Sequence, residues 1–288
     1  MGKTRKFKPF KKMNCFPTKK GKSRKKFTCY SNNALLKIRD GWNKRHPDVK
    51  IDTDVSRDIW ENLKMLMADV CDSEMCWLRQ QVVDSKAGTD LLNYSFAPNH
   101  PNSWLKNKNE WLSSIDIEKV MKQYEKLYPN FLFLGPSPID FDNQQGDSCV
   151  WPEICNFSVK NMLHKNKNKI GFSFNTDPHY KSGAHWISMF LDLEKKFLYF
   201  FDSNGTPPSN EINNLTNRIL NQCKEENMDV KYSDNTNYSH QKTNTECGMF
   251  SLYFIITLLN GEKSPEYFNT TKIQDNDMED LRTKYFNS

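Results

Sequence analysis

Four side chains in the C-terminal half have the types and spacings that acyl transfer needs: His185, Asp202, Gln241 and Cys247. Cys247 stands where the polar stretch Gln241 to Glu246 gives way to the apolar run CGMFSLYFIITLL, residues 247 to 259. A run of that length, apolar all round, reads as a buried helix. Cys247 is therefore expected at a helix N-terminus, where the dipole and unpaired backbone N–H groups favour a thiolate. His185 and Asp202 lie at the outer ends of two apolar stretches, His185 to Asp192 and Lys196 to Asp202. The polar connection Leu193 to Lys195 makes them a hairpin. With its turn centred between Leu193 and Glu194, His185 stands directly opposite Asp202, and opposed residues have Cβ atoms roughly 4.5 to 5.5 Å apart. The carboxylate would then orient the imidazole and stabilise its cation. Gln241 could set its side-chain amide beside the Cys247 backbone N–H to hold an oxyanion, and Gly248 would let a substrate backbone approach closely. Each residue alone has an ordinary structural explanation, and the weight lies in the combination. The chemistry is attack by a thiolate through a covalent acyl intermediate, with neither metal nor cofactor required.

The elements that must hold these groups follow from patterning. Ile187, Met189, Leu198 and Phe200 on one face of the hairpin, and Trp186, Phe190, Phe197, Tyr199 and Phe201 on the other, predict a central pair covered on both sides. Ile170 to Phe174 and Phe131 to Leu134 are further strands, the latter ending at the Gly135-Pro136 turn. Ser209 to Met228 carries Ile212, Leu215, Ile219 and Cys223 on one stripe, an amphipathic helix. Residues 229 to 240 read as a polar strand or loop, Asp275 to Phe286 as a last short helix, and Ser114 to Leu127 as a helix that Pro129 ends. Further upstream, Asn32 to Leu78 is helical in pattern, broken at Pro47 and Asp52 to Asp54, whereas residues 86 to 109 read as loop or linker.

The net charge of +6 conceals an asymmetry: residues 1 to 29 hold 12 of the 41 Lys and Arg and no acid, leaving 29 basic against 35 acidic residues elsewhere. Such a run is expected to be a disordered tail outside the fold, available for nucleic-acid contact. No stretch approaches 18 apolar residues and no signal peptide opens the chain, so a soluble intracellular protein without membrane contact is expected. Eight scattered cysteines predict reduced thiols, and the loose Cys71/Cys76 and Cys149/Cys155 spacings do not make a zinc site.

The combination His185-Trp186, Phe200-Phe201-Asp202-Ser203 and Gln241-x5-Cys247-Gly248 resembles the SUMO-specific and adenovirus-type cysteine proteases. The resemblance covers residues 104 to 288 and implies base, orienter, oxyanion donor and nucleophile at His185, Asp202, Gln241 and Cys247. Glu110-Trp111-Leu112 looks like that family's opening Trp-Leu motif, although the acid two residues after the Leu is Ser114 here. Trp111 and Trp186 would line a narrow, substrate-binding channel that admits small residues such as Gly-Gly. The implied fold class is α+β, a papain-like or adenain-like core with a central, mostly antiparallel sheet flanked by helices, plus a helical N-terminal region. The domains are then a tail (1–29), a helical region with linker (30–103) and a protease core (104–288). Cys149-Val150-Trp151-Pro152-Glu153 and the Lys- and Asn-rich composition resemble the maturation proteases of large cytoplasmic DNA viruses. That likeness implies cleavage of virion core or capsid precursors within virions and host cytoplasmic factories. The rival readings are an isopeptidase acting on ubiquitin-like conjugates, an acyltransferase using the same site, and a non-enzymatic nucleic-acid-binding protein.

Overall fold

The computed structural model describes residues 9–23, 25–80 and 85–288. Contacts divide the chain into two units, residues 1–99 with 284–288, and residues 100–283.

The first unit is built on α1 (Asn32–Arg45), α2 (Ser56–Leu66), α3 (Glu74–Arg79) and α4 (Ser85–Ser95). Ser31 caps α1 by accepting from the Ala34 N–H, and Ala34, Leu35, Ile38 and Trp42 turn inward. Helix α4 falls where a loop was expected. Its Gly and Asn lower helix propensity, but Leu91 and Leu92 pack on the unit's core, and that packing prevails. The basic segment also departs from expectation. Phe10, Met13 and Cys15 pack against the core, Phe16, Cys29 and Tyr30 are buried, and Cys15 pairs with Phe96. The interspersed aromatic and thiol residues go inside while Lys11, Lys12, Lys20, Lys22, Lys25 and Lys26 stay outside. Glu74 fixes the segment's end, accepting from Thr28 Oγ1, the Cys29 N–H (3.1 Å) and Trp60 Nε1 (2.7 Å), and burial raises its pKa. Residues 1–8 of the expected tail lie outside the described residues.

Six cysteines are disulfide-bonded, contrary to the reduced-thiol expectation: Cys15–Cys29, Cys71–Cys76 and Cys149–Cys155. Short loops close each pair, and Cys223 and Cys247 are free. Among the described residues there is no cluster of three or more His, Cys, Asp or Glu suited to a metal ion, and no helix is long and apolar enough to cross a membrane.

In the second unit, α5 (Ser114–Leu127) begins with a reciprocal Ser113–Asp116 capping box. There follow β1 (Phe131–Pro138), a small antiparallel pair β2 (Gln144–Gln145) and β3 (Ser148–Cys149), and helices α6 (Pro152–Cys155) and α7 (Val159–His164). The chain continues through β4 (Lys169–Asn175), β5 (Trp186–Asp192), β6 (Phe197–Phe201), α8 (Asn210–Glu225), β7 (Lys231–Asp234), α9 (Cys247–Leu259), α10 (Tyr267–Thr270) and α11 (Asp275–Tyr285). The sheet order is β1-β4-β5-β6-β7; its three central strands are antiparallel and each edge strand is added parallel.

Helices cover both faces of this sheet. Ile212, Leu215, Ile219 and Cys223 of α8 share a buried cluster with Ile187, Met189, Leu191, Leu198 and Phe200. On the other face Phe254 of α9 stacks on Phe201 at 4.8 Å and meets Tyr199 at 5.6 Å, while α5 also contacts α9. Residues from Met249 to Leu259 are thus almost all buried. Each fully buried Leu, Ile or Phe contributes about 1.5–3 kcal/mol, enough to lock α9, and Cys247 at its start, against the sheet.

Candidate active site

The hairpin β5–β6 positions His185 and Asp202. Its pairs run from Ser188↔Phe201 to Asp192↔Phe197, leaving a four-residue loop in which Lys196 has φ 57°. The Asp192 carboxylate closes that loop by accepting from the Lys195 N–H at 2.8 Å. The register therefore differs by two residues from direct opposition of His185 and Asp202: continued past Phe201, it sets Ile187 across from Asp202. A displacement of two keeps every side chain on its face. His185 and Asp202 become diagonal neighbours that still meet, with Nε2 2.7 Å from Oδ1.

Asp202 is 3% exposed and held on both sides by Asn235. Its N–H donates to Asn235 Oδ1 (2.9 Å), its carbonyl accepts from Asn235 Nδ2 (2.6 Å), and its Oδ1 also accepts from the Asn204 N–H (2.8 Å). Asn235 follows β7, the strand beside β6, so sheet topology delivers it. Burial pulls the His185 pKa down, but hydrogen bonds to Asp202 and Cys247 and their negative charge outweigh it, raising the ring to about 9. Cys247 is the first residue of α9, and no side chain caps that helix end.

Gln241 is fixed by the turn after Asp202. The Ser203 carbonyl accepts from the His240 and Gln241 N–H groups (2.8 and 2.9 Å), and Ser203 Oγ donates to Gln241 Oε1 at 2.7 Å. With the amide oriented this way, Nε2 donates to the Thr243 carbonyl at 2.5 Å and has a second N–H. His240 is fully buried, bonded through Nε2 to the Phe268 carbonyl (2.9 Å) and through Nδ1 to the Ile273 N–H (3.2 Å), and burial lowers its pKa to about 4. It is a neutral prop behind the loop.

Beside this group lies an open cleft of about 1600 Å³ lined among others by Trp111, Leu112, Gly135, His179, Gly183 and Trp186. Trp111 is 37% exposed, whereas Trp186 is buried with Nε1 donating to the Leu112 carbonyl at 2.9 Å. Both tryptophans thus line one cleft, and Trp186 links it to the neighbouring His185. Gly248 does not have the expected role of admitting a substrate backbone: it is buried, and a Cβ there would sit 2.8 Å from Leu112 Cβ. Its missing side chain lets α9 dock against the Trp111-Leu112 segment. The capping box occupies Asp116 on that same segment, and Ser113 and Ser114 face the cleft.

Comparison with known proteins matches this geometry to a lineage. Residues 157–288 fit the Ulp1 protease family, C-terminal catalytic domain, a segment that contains His185, Asp202, Gln241 and Cys247. The chain is 31% identical over 255 residues, 82% of its length and 81% of the relative's, to a thiol protease of Acanthamoeba polyphaga mimivirus. The chain is a cysteine protease of the Ulp1 family. It is also 28% identical over 231 residues to a SUMO-1 cysteine protease of African swine fever virus, covering 75% of this chain and 83% of that one. The crystal structure of an African swine fever virus protease has the same fold, with a TM-score of 0.67 over 95% of both chains at 21% identity. As a Ulp1-family core, the second unit has its α+β sheet antiparallel through the centre and helices on both faces.

Proposed function

We propose that Cys247, His185, Asp202 and Gln241 carry out peptide-bond hydrolysis, and that the substrates are viral structural precursors cut after Gly-Gly during particle maturation. The observation that carries the catalytic assignment is the 2.7 Å contact of His185 with a buried, doubly anchored Asp202, on a ring whose pKa Asp202 and Cys247 together raise. The Cys247 sulfur attacks the scissile carbonyl carbon, and the carbonyl electron pair moves to oxygen, toward the second Gln241 Nε2–H and the Cys247 N–H. Collapse expels the amine, which takes its proton from His185. A water deprotonated by His185 then cleaves the thioester, while Asp202 holds the ring.

The substrate reading draws support from the wall formed by Trp111 and Trp186, which suits a chain lacking side chains, and from relatives encoded by large DNA viruses. It places the enzyme in virions and in host cytoplasmic assembly sites. The surface lysines of residues 11–26 would give nucleic-acid contact there, with the strong salt dependence of phosphate binding. The name of the African swine fever virus relatives favours a second reading, an isopeptidase acting on ubiquitin-like conjugates. Mixing the protein with disrupted immature particles and sequencing new termini by mass spectrometry separates the two. New C-termini ending in Gly-Gly within structural proteins support precursor processing. Release of an intact modifier from lysine, with no new structural-protein termini, overturns it.

A further inference from the structure

The loop from Gln241 to Glu246 leads from one oxyanion donor to the other, ending at the residue before Cys247, yet it contains neither helix nor strand. Its own contacts, Gln241 Nε2 to the Thr243 carbonyl and Thr245 Oγ1 to Glu246 Oε1 (3.2 Å), tie only neighbours together. Gln241 itself is held by the Ser203 turn and by Ser239 Oγ, which donates to its carbonyl at 3.1 Å; from Lys242 to Glu246 the further side-chain anchors come from α11. At its first residue, the Asp275 carboxylate accepts from the Lys242 N–H (3.1 and 3.2 Å) and the Thr243 N–H (2.8 Å). Seven residues later on the same helix face, Arg282 Nε and Nη2 hold the Glu246 carboxylate at 2.8 and 2.9 Å, and Nη2 also donates to the Thr245 carbonyl at 3.2 Å. Its Nη1 donates to the Glu110 carbonyl at 2.8 Å, and the guanidinium lies 4.5 Å from the Trp104 ring centroid. Arg282 is 4% exposed and Glu246 fully buried, with burial raising the Glu246 pKa in spite of Arg282.

We propose that α11 sets the oxyanion site, with Asp275 and Arg282 as positioning residues that fix the two ends of the 241–246 loop. Arg282 also ties the nucleophile's predecessor, Glu246, to Trp111's predecessor, Glu110. A buried ion pair adds little stability beyond what well-packed apolar residues of the same size would give. What it does supply here is a two-toothed, directional lock on the residue before Cys247. The inference rests on the reading of Gln241 and the Cys247 N–H as oxyanion donors.

Two reagents separate loop positioning from nucleophile integrity without a known substrate. Iodoacetamide alkylates Cys247 by displacement at a saturated carbon and forms no oxyanion. p-Nitrophenyl acetate acylates it through a tetrahedral oxyanion, the S–C bond forming as p-nitrophenolate leaves. Rate constants are measured for both, with peptide masses confirming modification at Cys247 rather than Cys223. Removal of one oxyanion donor costs roughly 10²–10³, so the expected result for Asp275→Ala is roughly a tenfold or greater fall in acylation, with alkylation within about twofold. Arg282→Lys, which retains charge but not the planar fork, should show the same split, and so should Arg282→Met combined with Glu246→Gln, which leaves no buried charge unpaired. Gln241→Ala is the control. If it lowers acylation selectively while the Asp275 and Arg282 variants do not, or if those variants slow both reagents equally, the inference falls alone. If Gln241→Ala slows neither reagent, the underlying assignment of the donors falls with it.

Discussion

Asp202→Asn is the substitution whose outcome the geometry specifies most fully. His185 is raised from 6.5 to about 9, which corresponds to about 3 kcal/mol in favour of the imidazolium. Because the pKa is raised, activity that needs the ring cation persists as pH rises and is lost through about 9; His185's contribution to stability is likewise full below its ordinary value and lost over the same window. Asparagine keeps the shape and an acceptor oxygen but removes the charge. An adjacent opposite charge is worth 1–3 pKa units, and the burial that opposes it remains, so the alkaline limb should fall from about 9 to roughly 7. At pH 8 the fraction in the ion-pair form then drops from about 0.9 to about 0.1, a loss of roughly tenfold from protonation alone. The assay is kcat/KM against pH from about 5 to 10 on a Gly-Gly peptide amide or p-nitrophenyl acetate. The deficit remaining near pH 6, below both limbs, measures lost orientation separately. A variant that is slower while its alkaline limb stays near 9 would refute the assignment of Asp202 as the group that holds the cation.

Gly248→Ala should destabilise the second unit by about 1–3 kcal/mol through overpacking on Leu112, and Leu112→Ala should relieve part of it; thermal unfolding of the single and double variants reads this. His240 is buried neutral with its pKa lowered to about 4, so its contribution to stability is full above about 6.5 and lost as pH falls toward 4. That contribution amounts to about 3 kcal/mol, and urea unfolding at pH 7 and pH 4.5 should show a slope that His240→Phe reduces. Reducing Cys15–Cys29, which closes a loop with a sequence separation of 14, should cost the first unit about 3 kcal/mol. Proteolysis near residue 20, compared with and without reductant, should show the segment released only on reduction.

How much of this was legible in the sequence depended on whether a contact was local. Helix α9 could be read residue for residue because its apolar run is uninterrupted and a polar loop precedes it, and α5 because its apolar face is regular and bounded by Ser113 and Pro129. The strands of the β5–β6 hairpin were clear, but not their register. Leu193-Glu194-Lys195-Lys196 has no Gly or Asn to mark the turn, and loop length sets register. The two-residue difference left the site intact only because it preserves the face. The basic run hid apolar positions that reach the core from Phe10 onward, and Gly248 looked like an approach point although its neighbour is Leu112. Asn235 and Arg282 left no sequence signal, and Ser203 and Asp275 showed only as a motif neighbour of Asp202 and as a helix start: each makes its contact across 33 to 38 residues of chain, through loops whose course no periodicity encodes.

The assignment of Cys247 as nucleophile, with His185 as its partner, has a direct chemical test. The protein is treated with a peptide vinyl sulfone ending in Gly-Gly and the adduct is located by tryptic peptide mass. A single adduct on Cys247 is expected, lost in Cys247→Ala and strongly slowed in His185→Ala. An adduct on Cys223, or one on Cys247 that forms equally fast without His185, would contradict the assignment.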